Sequence, residues 1–141
     1  MTAAVTIRGI DEVLKKISDN RQSIKELLLA KNELVHNIQT VLRHKAKAAR
    51  VLSPGQICDY REFSRLYDRQ CVSLKSHMAA LRQKMDEHHI QHEILKPSVD
   101  LAAIYGCLQD INLLQGHVLT ILHGIVAAAR QAYDALLPDA A

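Results

Sequence analysis

The chain has 141 residues, of which 48% are hydrophobic and 23% charged, and its formal net charge is only +3. This length fits one folded domain, and the balance of apolar and charged residues argues against intrinsic disorder. Aromatic residues make up 4% of the chain, and five glycines and three prolines provide few turns, so the composition favours helices over sheets.

The cysteines and the N-terminal residues indicate the compartment. The chain has an odd number of cysteines and no Cys-x-x-Cys pair, which is typical of a protein in a reducing environment. The three are Cys58, Cys71 and Cys107. Met1 to Arg8 lacks the apolar stretch of a secretory signal. We therefore expect a soluble intracellular protein, in the cytoplasm or else in the nucleus.

The first predicted helix runs over about residues 7–51 and keeps a seven-residue repeat with apolar residues at positions a and d. The e column is also mostly apolar (Leu14, Leu28, Val35, Leu42 and Ala49). Three apolar columns form a broad stripe, which predicts contact with at least two other helices. Asn20 at d and Lys31 at a depart from the pattern, and polar residues at such positions lower stability but restrict the choice of partner and register.

The second predicted helix runs over about residues 54–95, after a break with a strong helix-start signal. Ser53 and Gln56 have the spacing of a capping box, and Pro54 occupies the first helical position, where its missing N–H costs nothing. The helix has its own heptad register, but its e column is polar, so its apolar stripe is narrower.

The third predicted helix runs over about residues 98–137. Pro97 disfavours helix at Lys96, and Ser98 can cap a new start, although a kinked continuous helix at Pro97 is an alternative. No Asp, Glu, Lys or Arg occurs between Asp110 and Arg130, and apolar residues surround the helix axis, which is typical of a buried helix.

Together these segments predict an all-α fold: an elongated antiparallel three-helix bundle with coiled-coil heptads, within a single domain. The first two helices are similar in length and separated by a short break, which favours a long αα-hairpin. The third, apolar helix would then pack along that hairpin.

The third helix carries more apolar surface than two neighbouring helices can cover. We identify Leu113, Leu119 and Val126 as a second apolar stripe, which soluble monomers rarely leave in water. A partner chain is the preferred explanation. The alternatives are a membrane span, which Asn112, Gln115 and two histidines oppose, and a compact fold in which the first two helices break into four or five.

The sequence therefore predicts a non-enzymatic structural or adaptor subunit of a multi-protein assembly. Its partners would be other helical subunits, as a homo- or hetero-oligomer, and neither nucleic acid nor a membrane is the expected partner. The predicted contact residues share apolar character or a register-setting role: Leu113, Leu119, Val126, Ile24, Leu28, Val35, Asn20 and Lys31.

A short basic run at residues 43–50 supports an alternative function. Arg43, Lys45, Lys47 and Arg50 could contact phosphate groups of a nucleic acid or of an anionic membrane surface. The same cations also complement the negative end of the first helix dipole, which provides a purely structural reason for them.

No motif of catalysis or cofactor binding is present, so we expect neither an enzyme nor a cofactor. His88 and His92 are four residues apart and share a helix face, so they could provide two ligands to zinc. His89 follows His88 where a metalloprotease would have its glutamate, and a polar helix end is the simpler explanation. We predict no metal site here.

Overall fold

The computed structural model describes residues 3–89 and 101–138 and contains three helices: α1 (Ala3–Lys47), α2 (Pro54–His89) and α3 (Leu101–Leu136). The structure is 93% helical, these residues include no strand, and α3 contacts both α1 and α2. The predicted all-α three-helix bundle is confirmed. No helix is interrupted within these residues, so the four- or five-helix alternative is not what they form.

Helix α1 ends at Lys47, four residues before the predicted end. Ala49 has a φ of 56°, in the left-handed region. The amide of Arg50 donates to the carbonyl of Lys45 at 2.9 Å, and the amide of Ala49 donates to the carbonyl of Ala46 at 3.2 Å. These two bonds form a Schellman motif, which terminates the helix. The sequence lacks the usual signal for it, because alanine stands where glycine is expected.

Helix α2 begins as the sequence predicts. The Ser53 amide donates to Gln56 Oε1 at 2.9 Å, and the Gln56 amide donates to Ser53 Oγ at 3.1 Å. These reciprocal bonds form the predicted capping box. Residues 90–95, Pro97 and Ser98 lie outside the described part of the chain, so the predicted end of α2 and the alternatives at Pro97 stay predictions.

The chain divides into two compact units. The first is drawn from Met1–Lys25 and Leu74–Thr120, and the second from Glu26–Ser73 and Ile121–Ala141. Each unit contains a portion of all three helices.

In the first unit, α3 runs parallel to α1 and antiparallel to α2. Gly9 lies against the ring of Tyr105, where a Cβ would come to 3.0 Å from a ring carbon, so glycine allows a closer approach of this ring than a larger residue would. Lys84 on α2 forms an ion pair with Asp110 on α3 at 3.4 Å. The bonded carboxylate raises the pKa of Lys84, but Asp110 is exposed and Lys84 only half-buried, so solvent screens the pair and it contributes little stability.

In the second unit, the core forms around Ile38, Ala129, Ala132 and Leu136, with Leu34, Phe63 and other partly buried residues packed against it. The start of α2 is bonded to the end of α3: Gln56 Nε2 donates to the carbonyls of Ala135 at 3.2 Å and Pro138 at 2.6 Å. These bonds satisfy carbonyls that a helix end leaves without partners.

The predicted heptads agree with the burial pattern. From Arg8 onward, the buried residues of α1 all occupy a or d positions of its register (Val13, Ile17, Ile24, Ile38 and Lys45). On α2, the buried Leu74 and Leu81 are both at d. Ten of the buried apolar side chains belong to α3, so α3 is the main core helix, as its composition predicts.

We expect Ala49→Gly to stabilise the protein. An L-residue in the left-handed region costs about 1–2 kcal/mol, and glycine removes this cost while loosening the unfolded chain, so the net gain is about 0.5–1 kcal/mol. Urea denaturation measures the change in the free energy of unfolding. The matched control is Ala46→Gly, inside α1, which should destabilise by about 0.5–1 kcal/mol. A loss of stability in Ala49→Gly would contradict the analysis of this helix end.

Candidate functional site

Helix α3 has an exposed face without formal charge. Between Ile111 and Ala129, the residues that lie exposed on α3 itself are Leu113, His117, Thr120, His123, Gly124 and Ala127. Leu113 is 60% exposed, although it is a large apolar side chain. Exposed positions on α1 and α2, in contrast, are rich in Asp, Glu, Lys and Arg. We call these six residues the neutral face.

Two glycines on or next to the neutral face have free space around them. Apart from the adjacent backbone of α3 itself, a Cβ built at Gly116 or at Gly124 would meet no atom of the described residues within 4 Å. Packing inside the chain therefore does not require glycine at either position, although glycine in a helix interior costs about 1 kcal/mol relative to alanine. Close approach of another helix is one physical reason to keep glycine there.

The predicted apolar stripe on α3 does not form one surface. At 3.6 residues per turn, Leu119 lies about 120° around the helix from Leu113, whereas Val126 lies nearly in line with Leu119. Leu113 is accordingly exposed, Leu119 is half-buried and Val126 is buried. The neutral face therefore replaces the predicted stripe. Of the three predicted residues, only Leu113 belongs to it. The spacing of three and four residues from Leu113 onward was a signal that could have identified it.

The predicted contact residues on α1 are partly buried by packing within the chain. Ile24 is buried, whereas Leu28 and Val35 are half-buried. Their neighbour Leu29 is 62% exposed. Only part of the predicted α1 surface is therefore accessible to a partner.

Asn20 forms a polar network with α3 in the first unit. Its Nδ2 donates to Asn112 Oδ1 at 2.8 Å and to Gln115 Oε1 at 3.3 Å, and Gln115 Nε2 donates to the carbonyl of Ile17 at 3.1 Å. Gln115 is only 2% exposed, so its amide depends on these partners. Asn20 thus sets the α1–α3 register within the chain.

Lys31 also has a partner inside the chain. Its Nζ lies 5.7 Å from the ring centroid of Tyr67 on α2, a cation–π contact within the second unit. The same ring lies 5.6 Å from that of Phe63. Burial, with a hydrogen bond to Cys71, raises the pKa of Tyr67 to about 12. Any role of Asn20 or Lys31 in choosing an external partner stays a prediction.

The basic run is split by burial. Lys45 is 7% exposed, and its Nζ donates to the carbonyl of Pro138 at 3.3 Å, at the end of α3. Arg43, Lys47 and Arg50 are exposed. Arg43 and Lys47 share one face of α1 with Thr40 and His44, and these four residues line a shallow cleft of about 290 Å³. A phosphate contact would thus involve Arg43 and Lys47 before Lys45.

Chemically reactive groups do not converge in the described part of the chain. No group of three or more His, Cys, Asp or Glu side chains there could hold a metal ion. His88 belongs to α2, and His92 lies outside the described residues, so the structure does not test that pair. Cys107 is buried and burial raises the pKa of its thiol, whereas Cys58 is exposed.

Comparison with known proteins gives no further guidance: no family model, curated protein or solved structure matches the chain. By length and composition alone, α3 could cross a membrane, with a mean hydropathy of 1.4 over its best window. The core helix of a soluble protein meets the same criterion.

We expect Asn20→Ala to destabilise the protein by about 1–3 kcal/mol, because it leaves the amide oxygens of Asn112 and Gln115 without their donor. Chemical denaturation followed by circular dichroism measures the change. Asn32→Ala, at an exposed asparagine of the same helix, is the control and should change stability by less than about 0.5 kcal/mol. Equal stability of the two variants would contradict the register-setting role.

Proposed function

We propose that this chain is a non-enzymatic structural or adaptor subunit of an intracellular multi-protein assembly. It would bind helical partner subunits by coiled-coil-type packing. The observation that carries the proposal is the neutral face of α3.

The chemistry of the neutral face suits a helical partner. Depletion of charged residues distinguishes the centre of a protein interface from the rest of a protein surface. Leu113 offers an apolar anchor, and Gly124 and Ala127 would let a second helix approach closely. The flanking Asp110 and Arg130 are exposed at either end of this uncharged stretch of sequence, as expected for the polar rim of an interface.

The half-buried residues of α1 extend the same proposal. Leu28, Leu29 and Val35 all keep apolar surface accessible in the second unit. Two apolar surfaces on separate helices support a subunit that has more than one neighbour. The homo- or heteromeric nature of the assembly is decided by the experiment below.

We expect Ala127→Glu to abolish association, because it places a charge and a longer side chain on the neutral face. Ala79→Glu, at an exposed alanine of α2, is the matched control and should behave like the wild type. Sedimentation of the purified chain measures self-association. If the partner is a different protein, native complexes are purified from the host with the wild type, Ala127→Glu or Ala79→Glu. Quantitative mass spectrometry then compares the proteins that co-purify with each.

Two readouts decide the outcome. Support requires an oligomer, or one defined co-purifying helical protein, that is retained in Ala79→Glu and lost in Ala127→Glu while the helical circular dichroism spectrum of the variant stays that of a folded chain. A wild-type monomer whose co-purifying proteins are the same in all three samples contradicts the proposal. Insertion of the wild-type chain into neutral lipid vesicles would assign α3 to a membrane instead.

A second candidate function is binding of a polyanion through Arg43 and Lys47. It rests on the shared exposed face of these residues with His44. The C-terminal end of the α1 dipole opposes anion binding, and Lys45 is already bonded to α3, so the available positive charge is modest.

We expect Arg43→Glu with Lys47→Glu to abolish any binding to a fluorescent DNA duplex or to phosphatidylserine vesicles. Wild-type binding should weaken steeply with salt, with a slope of about −0.9 per phosphate contact for duplex DNA. Lys15→Glu with Lys16→Glu makes the same charge change elsewhere on α1 and should leave binding intact. Absent or salt-independent binding of the wild type would exclude this function.

A further inference from the structure

A groove of about 360 Å³ lies between α2 and α3 on the surface of the second unit. Its α2 wall consists of Asp59, Glu62, Phe63 and Leu66, whose spacing of three and four residues places them on one face of the helix. Its α3 wall consists of three alanines and Gln131. The sequence did not predict the groove, because its two walls are far apart in the chain.

The small side chains of α3 keep this groove open. Ala128 and the other two alanines of the wall do not reach across to α2, so Phe63 and Leu66 are only half-buried. Phe63 packs against the core of the second unit and still has apolar surface accessible in the groove. A volume of this size lies within the range of pockets that accept a ligand, and its floor is apolar.

The rim of the groove is acidic. Asp59 and Glu62 are exposed, and none of the described residues that line the groove is Lys, Arg or His. Glu62 accepts a hydrogen bond from Cys58 Sγ at 3.9 Å, and no Lys or Arg of the described residues forms an ion pair with either carboxylate. Such a rim repels phosphate groups and acidic peptides and attracts cations.

We propose that this groove binds a basic amphipathic helix of a partner protein. The apolar side chains of that helix contact Phe63 and Leu66, and its Lys or Arg side chains pair with Asp59 and Glu62. Amphipathic helices bind apolar grooves in this way, through residues three, four and seven apart. Both carboxylates belong to the α2 wall, so the cations would lie on one flank of the bound helix, with Gln131 on the other side.

The groove adjoins the neutral face on α3. Ala128 follows Ala127, and Gln131 lies seven residues after Gly124, on nearly the same side of the helix. The inference rests on the proposed function, the binding of helical partners, and adds the chemistry of one partner.

A second copy of this chain fits the groove less well. The exposed basic face at the end of α1 is lined by Thr40, Arg43, His44 and Lys47. These residues offer positive charge but no large apolar side chain to contact Phe63 and Leu66. Charge and apolar surface must both match, so a different helix is the expected occupant.

The test uses the full chain and two fluorescent synthetic peptides of about 18 residues, five helical turns. One contains Leu and Lys, and the other contains Leu and Glu in the same amphipathic pattern. Fluorescence anisotropy measures the affinity at low and high salt.

Two variants alter the groove, and each has a matched control. Asp59→Asn with Glu62→Gln removes the rim charges, and Ala128→Leu fills the groove. Glu33→Gln with Asp68→Asn makes the same change in net charge at exposed acids elsewhere in the second unit, and Ala80→Leu enlarges an exposed alanine of α2. Circular dichroism checks that each variant is folded.

We expect the Leu/Lys peptide to bind the wild type, more weakly at high salt, and the Leu/Glu peptide not to bind. Asp59→Asn with Glu62→Gln should weaken binding about 2–25-fold, because it removes two exposed ion pairs. Ala128→Leu should weaken it about tenfold, because the apolar side chains of the peptide lose their space. Both control variants should bind as the wild type does.

Several results would overturn the inference. Absent binding of the Leu/Lys peptide means that the groove accepts no basic helix. Equal binding of the two peptides means apolar contact without charge recognition. An equal loss in Glu33→Gln with Asp68→Asn means that only net charge is sensed. A wild-type oligomer that dissociates in Asp59→Asn with Glu62→Gln would assign the groove to a second copy.

The peptide test can fail separately from the test of the proposed function. It needs no native partner, so a negative result here leaves the comparison of Ala127→Glu with Ala79→Glu intact. A monomeric wild type without a specific co-purifying protein would contradict the proposed function and leave the peptide affinities as they are.

Discussion

Burial of α3 against α1 and α2 is the interaction on which the rest of the bundle depends. Val118, Leu122, Ile125 and Ala129 on α3 have no solvent exposure. Full burial of a side chain such as Leu or Ile contributes about 1.5–3 kcal/mol, so this one helix provides a large share of the favourable free energy. The apolar stripes of α1 and α2 are stabilised mainly by the surface that α3 offers them. The neutral face of α3 is the part of this helix that neither α1 nor α2 covers.

Polar contacts then select one arrangement among the many that apolar packing allows. In the first unit, Asn20 and the buried Gln115 satisfy each other only in the observed α1–α3 register. In the second unit, Gln56 both caps α2 and bonds the carbonyls at the end of α3. Each of these side chains would be costly if buried without its partner. Such contacts add little net stability, but they penalise every alternative register.

The features that sequence reasoning predicted are those encoded locally. Residues three and four apart share a helix face, so heptads and the Ser53–Gln56 capping box could be read from the sequence directly. The end of α1 was predicted four residues late. Ala49 adopts the left-handed conformation that ends the helix, and an alanine in the sequence does not predict it. The stripe through Leu113, Leu119 and Val126 was wrong for a simpler reason: a step of six residues turns about 120° around the helix, so Leu113 does not share a face with Leu119 and Val126.

Contacts between helices distant in sequence could not be predicted. Nothing in the basic run distinguishes Lys45 from Lys47, yet one is buried against the end of α3 and the other is exposed. The edge-to-face contact of His77 with His117, whose ring centroids lie 5.9 Å apart, likewise depends on how α2 and α3 align. A seven-residue repeat specifies which side of each helix is buried, and the alignment of two helices is decided by particular side chains that meet across the interface.

The glycines of α3 also bear on how this helix moves. Gly116 and Gly124 reduce the intrinsic helicity of a segment whose opposite side is fully buried. Transient opening of backbone hydrogen bonds is therefore easiest around these two positions, while the neighbouring buried side chains stay in place. Amide hydrogen exchange along α3 should be uneven for this reason, fast near the glycines and slow at Leu122 and Ile125. A bound neighbour would slow the fast amides first, which makes their exchange rate a direct report of what covers the helix.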